Sequence, residues 1–210
     1  MASTKKVKAI VYSPHPSIAM VQKWIAELPQ KTGRSLGQWI KMIQNEGPED
    51  EAGRRDWLKK HYDLGTNTAW WLAERSVGRG GEDDSPEAYL SAAKRWVDEM
   101  FAGPKASMRP LYEHVLRFGL GLGNDVQACP CKTIVPLYRK HVFAQLKPST
   151  RTRLDLGLHL GNLPGQGRLI DTGGYAKKDR ITHRIGLSSV QEFDQEVKTW
   201  FRQAYDHSAD

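Results

Sequence analysis

The sequence predicts an α+β protein in two parts: a small helical N-terminal domain, followed by helices packed on an antiparallel β-sheet that a C-terminal amphipathic helix closes. Three observations lead to this prediction. In the first half of the chain, apolar residues recur every three or four positions, which is the spacing of amphipathic helices. In the stretch RTRLDLGLHLG (151–161), they alternate with period two, as in a half-buried strand. After Ser188 the helical spacing returns.

Length and composition are those of an ordinary folded protein. The chain has 210 residues, of which 26% are charged and 39% are hydrophobic, as in globular domains and unlike disordered segments. No apolar run approaches the roughly 20 residues that cross a bilayer. The N-terminus has a short apolar patch without the cleavage site of a secretory signal. We therefore expect a cytoplasmic protein that has no membrane partner.

Four short helices are predicted for the N-terminal domain, each from an apolar stripe and a local start signal. Ser17 can cap the first helix, and Ser35–Gln38 has the capping-box pattern that opens the second. The acidic run Glu49–Glu51 suits the positive end of the third helix dipole. Thr66 or Asn67 can cap the last helix.

A linker is predicted at residues 77–84, because this Gly-rich, acidic stretch shows no apolar periodicity. It would join a helical domain at residues 14–76 to an α+β domain at residues 85–210. Ser85 and Pro86 then open a new helix, with Ser as its cap and Pro at its first position.

Five strands are predicted for the second domain, at about residues 132–138, 141–147, 151–160, 167–171 and 181–187. The third of these would turn one face toward the core, with Leu154, Leu156, Leu158 and Leu160. Its opposite, polar face would present Arg151, Arg153, Asp155, Gly157 and His159. Successive side chains of a strand point to opposite faces, so the two sets separate cleanly.

Positive charge is concentrated in the second half of the chain. The net charge is +7, and residues 132–184 hold eleven Lys and Arg against three Asp. This excess predicts an anionic partner, most simply phosphate or nucleic acid, and a solubilising charge on a small sheet is the alternative. The candidate anion- or nucleic-acid-binding residues are Lys132, Arg139, Lys140, Lys147, Arg151, Arg153, His159, Lys177, Lys178, Arg180 and Arg184.

The sharpest cluster among these candidates is on the polar face of the leucine-rich strand. Arg151 and Arg153, two residues apart on a strand, should point the same way and offer a bidentate surface for phosphate or carboxylate. With His159 and Asp155 on that face, the arginines could instead hold a small anionic ligand and support acid–base chemistry. A solvated outer face is the third interpretation. A deep pocket would favour a small ligand, whereas a flat or convex face would favour nucleic acid.

Three short motifs have simpler structural explanations than catalytic ones. The segment Gly33–Gly37 matches the nucleophile elbow G-x-S-x-G, but no strand precedes it and Ser35 already serves as a helix cap. The segment Gly119–Gly123 departs from the phosphate-binding G-x-G-x-x-G and follows a helix. Cys129 and Cys131 are too few to form a structural zinc site without histidines, so free thiols are expected. We predict no cofactor and no metal.

Longer motifs resemble two known families. Residues about 15–75, with QKTGRSLGQWIKMI, RRDWLKKHYDLG and TAWWLAE, resemble a small helical bacterial family, domain of unknown function 4287 (DUF4287). Here the family's usual histidine-containing turn is replaced by Leu64–Thr68. Residues about 105–207 resemble domain of unknown function 5655 (DUF5655) through RPLYEHVL, CPCKTIVPLYRKHVFAQLKPSTRTRLDLGL and ITHRIGLSS. More distantly, the order of elements is similar to the YjbR-like double-wing group, which is suspected of binding DNA.

Neither family implies an established activity, so function is predicted from the residues. The leading hypothesis is a non-enzymatic binding module that holds nucleic acid or another polyanion on the basic surface of residues 132–184. One alternative is a small-molecule anion binder or an enzyme that uses Arg151 and Arg153 with His159 and Asp155. Another is an interaction scaffold whose helical domain binds a protein partner through an exposed Trp70–Trp71 patch.

Overall fold

The computed structural model describes residues 9–209, and these fall into two compact units. One unit is helical and comprises residues 14–92. The other comprises residues 93–209 together with residues 9–13. The division falls inside the helix Pro86–Met100, beyond the stretch 77–84 in which the sequence predicts a linker.

The helical unit contains the four helices that its apolar spacing predicts. They are α1 (Ser17–Thr32), α2 (Leu36–Glu46), α3 (Glu51–Tyr62) and α4 (Thr66–Ser76), and a short 3-10 helix, Gly81–Asp83, follows them. Trp39, Ile43, Leu58 and Leu72 are almost fully buried at the centre of this unit. Burial of this much apolar surface is the main stabilisation available to such short helices, which are marginal in isolation.

The cap at the start of α2 is confirmed, and two other predicted caps are wrong. The hydroxyl of Ser35 accepts a hydrogen bond from the Gln38 amide, and the Gln38 side chain accepts one from the Ser35 amide. Pro16 occupies the cap position of α1, where Ser17 was expected. Gly65 occupies that of α4, so Thr66 and Asn67 lie in its first turn.

The segment that follows α4 is tied back to this helix. The guanidinium of Arg75, which is almost completely buried, lies 3.1 Å from Asp84 Oδ1 and donates a hydrogen bond to the carbonyl oxygen of Arg79. Gly80 has a positive φ of 75°, and a Cβ at this position would collide with the Arg75 guanidinium. The buried guanidinium of Arg75 therefore holds part of the stretch 77–84 against the end of α4, and the interpretation of this stretch as a linker stays a prediction.

The second unit is an α+β structure, and this fold class is confirmed. Its elements are α5 (Pro86–Met100, which crosses the division), a 3-10 helix Gly103–Met108, α6 (Arg109–Leu120), β1 (Gln127–Ala128), β2 (Val135–Tyr138), β3 (Val142–Pro148), β4 (Leu154–Leu158), β5 (Ile170–Asp171), β6 (His183–Leu187) and α7 (Gln195–His207). All neighbouring strands are antiparallel, in the order β1-β2-β3-β4-β6-β5. The amphipathic helix α7 closes the unit and packs against β3 and β4.

The leucine face of β4 is turned inward, as its alternation predicts. Leu156 pairs with Leu146 of β3 on one side and with Ile185 of β6 on the other, and all three are buried with Phe201 of α7. For the opposite face, a solvated outer face was one of the interpretations of the sequence, and the burial of Asp155 and Gly157 contradicts it. Asp155 is 9% exposed, and the position of Gly157 is so crowded that a Cβ would lie 2.8 Å from Gln145 Cγ. β4 is a central strand that is covered on both faces.

Within residues 9–209, no helix combines the length and apolar character that crossing a bilayer requires.

Candidate anion-binding groove

A groove opens at the end of the sheet where β3 turns into β4. It has a volume of about 560 Å³. We call it the basic groove, and it is lined by Glu99, Met100, Ala102, Pro104, Lys105, Lys132, Thr133, Lys147, Pro148, Ser149 and Arg151. Three of the predicted anion-binding residues, Lys132, Lys147 and Arg151, therefore lie around one groove.

Backbone geometry brings the groove's segments together. Val135 pairs with Leu146, so residues 132–134, just before β2, lie beside the end of β3. In the turn after β3, the amides of Ser149 and Thr150 both donate hydrogen bonds to the carbonyl oxygen of Arg153. This turn carries Arg151, which was expected inside the strand.

Lys105 joins the groove from the 3-10 helix, and the sequence prediction missed it. Its ammonium donates a hydrogen bond to the carbonyl oxygen of Pro148 over 2.6 Å. The local sequence signal is weak, because Lys105 is a single lysine after Gly103 and Pro104 and lies far in the chain from the other basic residues of the groove. Lys105 is positioned at the groove by the tertiary contact with the end of β3.

The charge of the groove is strongly unbalanced. In the part of the chain that the structure describes, no carboxylate forms an ion pair with Lys105, Lys132, Lys147 or Arg151. The acidic residue of the lining, Glu99, lies 3.6 Å from Arg95 on the same helix. Four like charges around one concave surface raise the local concentration of anions, and the effect weakens with salt.

Arg153 and Arg184 do not line the groove, and both are paired with another residue. Arg153 Nε and Arg184 Nη1 lie 2.9 Å and 3.2 Å from the same atom, Oδ1 of Asp155. The prediction that Arg151 and Arg153 form one bidentate surface is therefore wrong, because Arg151 lies in the turn while Arg153 is paired with a buried carboxylate.

The remaining candidates lie at the opposite end of the sheet. Four residue steps separate Leu154, beside the turn, from Leu158, which amounts to about 14 Å at roughly 3.4 Å per residue. Arg139, Lys140, His159, Lys177, Lys178 and Arg180 follow or precede the strand ends at that far side. The eleven candidates thus do not form one continuous surface.

Several residues of the far end have partners of their own. Arg139 lies 2.7 Å from Asp125 and stacks over the ring of Tyr205. His159 Nδ1 donates a hydrogen bond to the carbonyl oxygen of Arg180 over 2.7 Å. Burial lowers the pKa of His159; the hydrogen bond to the Arg180 carbonyl opposes this shift, and the nearby charges of Arg180, His207 and His141 add to it. His159 and Asp155 are therefore not assembled into a single acid–base site with the two arginines.

The shorter motifs have structural roles. Ser35 caps α2 and follows α1 rather than a strand. Gly119 lies within α6, where a Cβ would be 2.5 Å from Leu137 Cδ2, so glycine allows close helix–sheet packing there. Cys129 is buried, and burial raises the pKa of its thiol to about 12. Within residues 9–209, no group of three His, Cys, Asp or Glu side chains is arranged to hold a metal ion.

The two consecutive tryptophans of α4, Trp70 and Trp71, differ in their exposure to solvent. Trp70 is 50% exposed, whereas Trp71 is 7% exposed and belongs to the core. Consecutive residues of a helix point about 100° apart, so one indole faces solvent while the next is buried. The predicted Trp70–Trp71 surface patch therefore reduces to Trp70.

Comparison with known proteins finds a matching family model for each part of the chain. The model of DUF5655, described as a domain of unknown function, matches residues 97–208, slightly more than half of the 210 residues. The model of DUF4287, also described as a domain of unknown function, matches residues 20–74. No curated protein and no solved structure matches the chain. Neither family match bears on the YjbR-like likeness, which stays a prediction. The chain thus belongs to the DUF5655 family, and a segment that is similar to the DUF4287 model precedes its DUF5655 domain.

Proposed function

We propose that the unit of residues 93–209 is a non-enzymatic module that binds the phosphate backbone of nucleic acid in the basic groove. The observation that supports this proposal is the convergence of Lys105, Lys132, Lys147 and Arg151 on one groove without ion-pair partners among the described residues. Other arginines of the same unit, such as Arg168, are neutralised by nearby carboxylates.

The composition of the groove favours backbone contacts over base recognition. No aromatic side chain is among the residues that line it, so it offers no platform on which bases could stack. Three of its four cations are lysines, which act as flexible point charges and suit phosphates in varied positions. Binding of this kind carries little sequence preference.

The exposure of the cations favours a polyanion over a single small anion. Lys132, Lys147 and Arg151 are all exposed, and each comes from a different segment of the chain. A specific site for a small anion usually surrounds its ligand with a few converging, buried donors. Exposed cations around an open groove instead suit a repeating phosphate chain. A small phosphorylated molecule remains the alternative, since Lys105 and Thr133 could complete such a site.

The test compares two triple variants that remove the same charge from opposite ends of the sheet. In the groove variant, Lys132, Lys147 and Arg151 are replaced by Gln; in the control, Lys177, Lys178 and Arg180 are replaced by Gln. Binding of labelled duplex and single-stranded oligonucleotides is followed by fluorescence anisotropy between 50 and 200 mM salt. Inorganic pyrophosphate serves as the small-anion probe.

We expect the groove variant to bind oligonucleotides more weakly and to lose about 0.9 of logarithmic salt slope for each lost contact with a duplex phosphate. The control variant should behave as the wild type does. Equal oligonucleotide affinity in the wild type and the groove variant would contradict the proposal. Loss of pyrophosphate binding alone would favour the small-anion alternative.

A further inference from the structure

The helical unit contains a separate cavity between α1 and α4. Its volume is about 210 Å³, and its lining residues are Trp24, Leu28, Lys31, Thr32, Asn67, Thr68 and Trp71. We call it the tryptophan cavity. Cavities that accept drug-sized ligands measure roughly 300–1,000 Å³, so this one suits a smaller molecule of one or two rings.

Two indoles and a leucine supply the apolar lining. Leu28 and Trp71 are buried, at 4% and 7% exposure, and belong to the core of the unit. Trp24 is different, because 44% of it is exposed and it is not part of that core. A large aromatic side chain left half-exposed beside a cavity is available to cover a flat apolar ligand.

Trp71 adds a second observation. Its indole N–H is buried and has no acceptor among the residues that the structure describes. A buried donor without a partner is uncommon in folded proteins and often marks a place where a bound molecule or water completes the hydrogen bonding.

The polar lining has a positive charge. Lys31 is its ionisable residue, and Thr32, Asn67 and Thr68 are uncharged. Lys31 Nζ lies 2.7 Å from Glu27, but Lys23 also lies 3.6 Å from that carboxylate. Lys31 thus donates a hydrogen bond to a carboxylate that it shares with Lys23, and the three side chains together carry a net charge of +1.

We propose that the tryptophan cavity binds a small aromatic carboxylate. The ring of the ligand would lie against Trp24 and Trp71, and its carboxylate would pair with Lys31. The indole faces account for the aromatic part, and the volume limits it to one or two fused rings. Lys31, which shares its one carboxylate partner with Lys23, accounts for the anionic group. This inference is independent of the basic groove, which lies in the other unit.

Isothermal titration calorimetry of the full chain at pH 7.5 tests this proposal with two matched probes, 2-naphthoate and its uncharged analogue 2-naphthamide. We expect the wild type to bind 2-naphthoate roughly fivefold more tightly, as one partly exposed ion pair permits. The variant Lys31→Gln should bind both probes equally, at the affinity of the amide. Trp24→Ala should weaken both by about tenfold.

The matched control is Trp70→Ala, which removes a tryptophan of similar exposure that does not line the cavity. It should leave both affinities unchanged. Absence of saturable binding by the wild type overturns the proposal, and so does equal weakening by Trp24→Ala and Trp70→Ala. The proposal is also overturned if Lys31→Gln still binds 2-naphthoate more tightly than 2-naphthamide. If Trp24→Ala does not fold, this comparison of Lys31→Gln with the wild type tests the proposal instead.

Discussion

The hydroxyl of Ser149 donates a hydrogen bond to the Asp155 carboxylate, with 2.5 Å between Oγ and Oδ2. This bond ties the turn between β3 and β4 to the middle of the sheet. The same carboxylate pairs with Arg153 and Arg184, so one buried anion organises two strands and the turn that carries Arg151.

Replacement of Asp155 by Asn should therefore destabilise the protein. The amide keeps the shape of the side chain but leaves two guanidinium groups without their counter-charge and weakens the bond from Ser149. We expect a loss of about 2 kcal/mol in the free energy of unfolding, the scale of hydrogen bonds to charged groups. Urea titration measures it. Asp179→Asn is the control, because Asp179 lies in an exposed loop; an equal loss in both variants would contradict the prediction.

Gly119→Ala should lower stability even though alanine is the better helix former. A Cβ at Gly119 would lie 2.5 Å from Leu137 Cδ2 and 2.8 Å from Phe201 Cζ. Overpacking costs about 1–3 kcal/mol, which exceeds the gain of about 1 kcal/mol in helix propensity. Gly37→Ala, in α2 with no neighbouring atom within 4 Å, should instead raise the melting temperature. Circular dichroism melts of both variants distinguish the two effects, and a stabilised Gly119→Ala would refute the packing argument.

The two cysteines should differ in reactivity. Burial raises the pKa of Cys129 to about 12, so its thiol stays protonated between pH 7 and 9, while Cys131 is partly exposed. Because the thiolate is the reactive species, iodoacetamide at pH 8 should modify Cys131 first and reach Cys129 after addition of urea. Mass spectrometry of the digested protein measures the extent of modification at each cysteine. Equal modification of both thiols in the folded protein would be inconsistent with the burial of Cys129.

Stability should decrease as the pH falls below about 6.5, and His159 should contribute to this decrease. Burial lowers the pKa of His159 in the folded state, so the unfolded state binds the proton more readily. The contribution of His159 to the free energy of unfolding is fully present above its pKa in the unfolded state, about 6.5. It is lost as the pH falls through the lower pKa that His159 has in the folded state. His159→Gln should flatten the dependence of the urea midpoint on pH between 7 and 5. His61→Gln, at an exposed site on α3, is the control, and a similar flattening in both would contradict the assignment.

Local patterns in the sequence predicted the features that depend on neighbouring residues. The alternation of Leu154, Leu156 and Leu158 identified both the strand and its buried face, because each side-chain direction follows from the strand period. The capping box at Ser35 needs just four consecutive residues, and it forms as expected. Caps that rely on a single polar residue, as at Ser17, were less predictable, since a neighbouring Pro can take that position.

The groove depends on contacts between distant segments, and the sequence alone did not predict it. Eleven basic residues share one stretch of chain, but antiparallel pairing sends alternate turns to opposite ends of the sheet. Lys105 comes close to Lys147 because the 3-10 helix contacts the end of β3, and no local pattern marks that contact. The pairing of Arg153 with Asp155 was partly foreseeable, because residues two apart on a strand lie on the same face.

The outermost strands of the sheet, β1 and β5, have two residues each. Next to β1, the amide of Ser13 already donates a hydrogen bond to the carbonyl oxygen of Ala128. A second polypeptide that paired with an edge of this sheet would meet few unpaired backbone groups. Short or covered edge strands of this kind disfavour fibril-like stacking and dimers formed by strand addition. Self-association of this unit would then have to proceed through side chains rather than through the backbone.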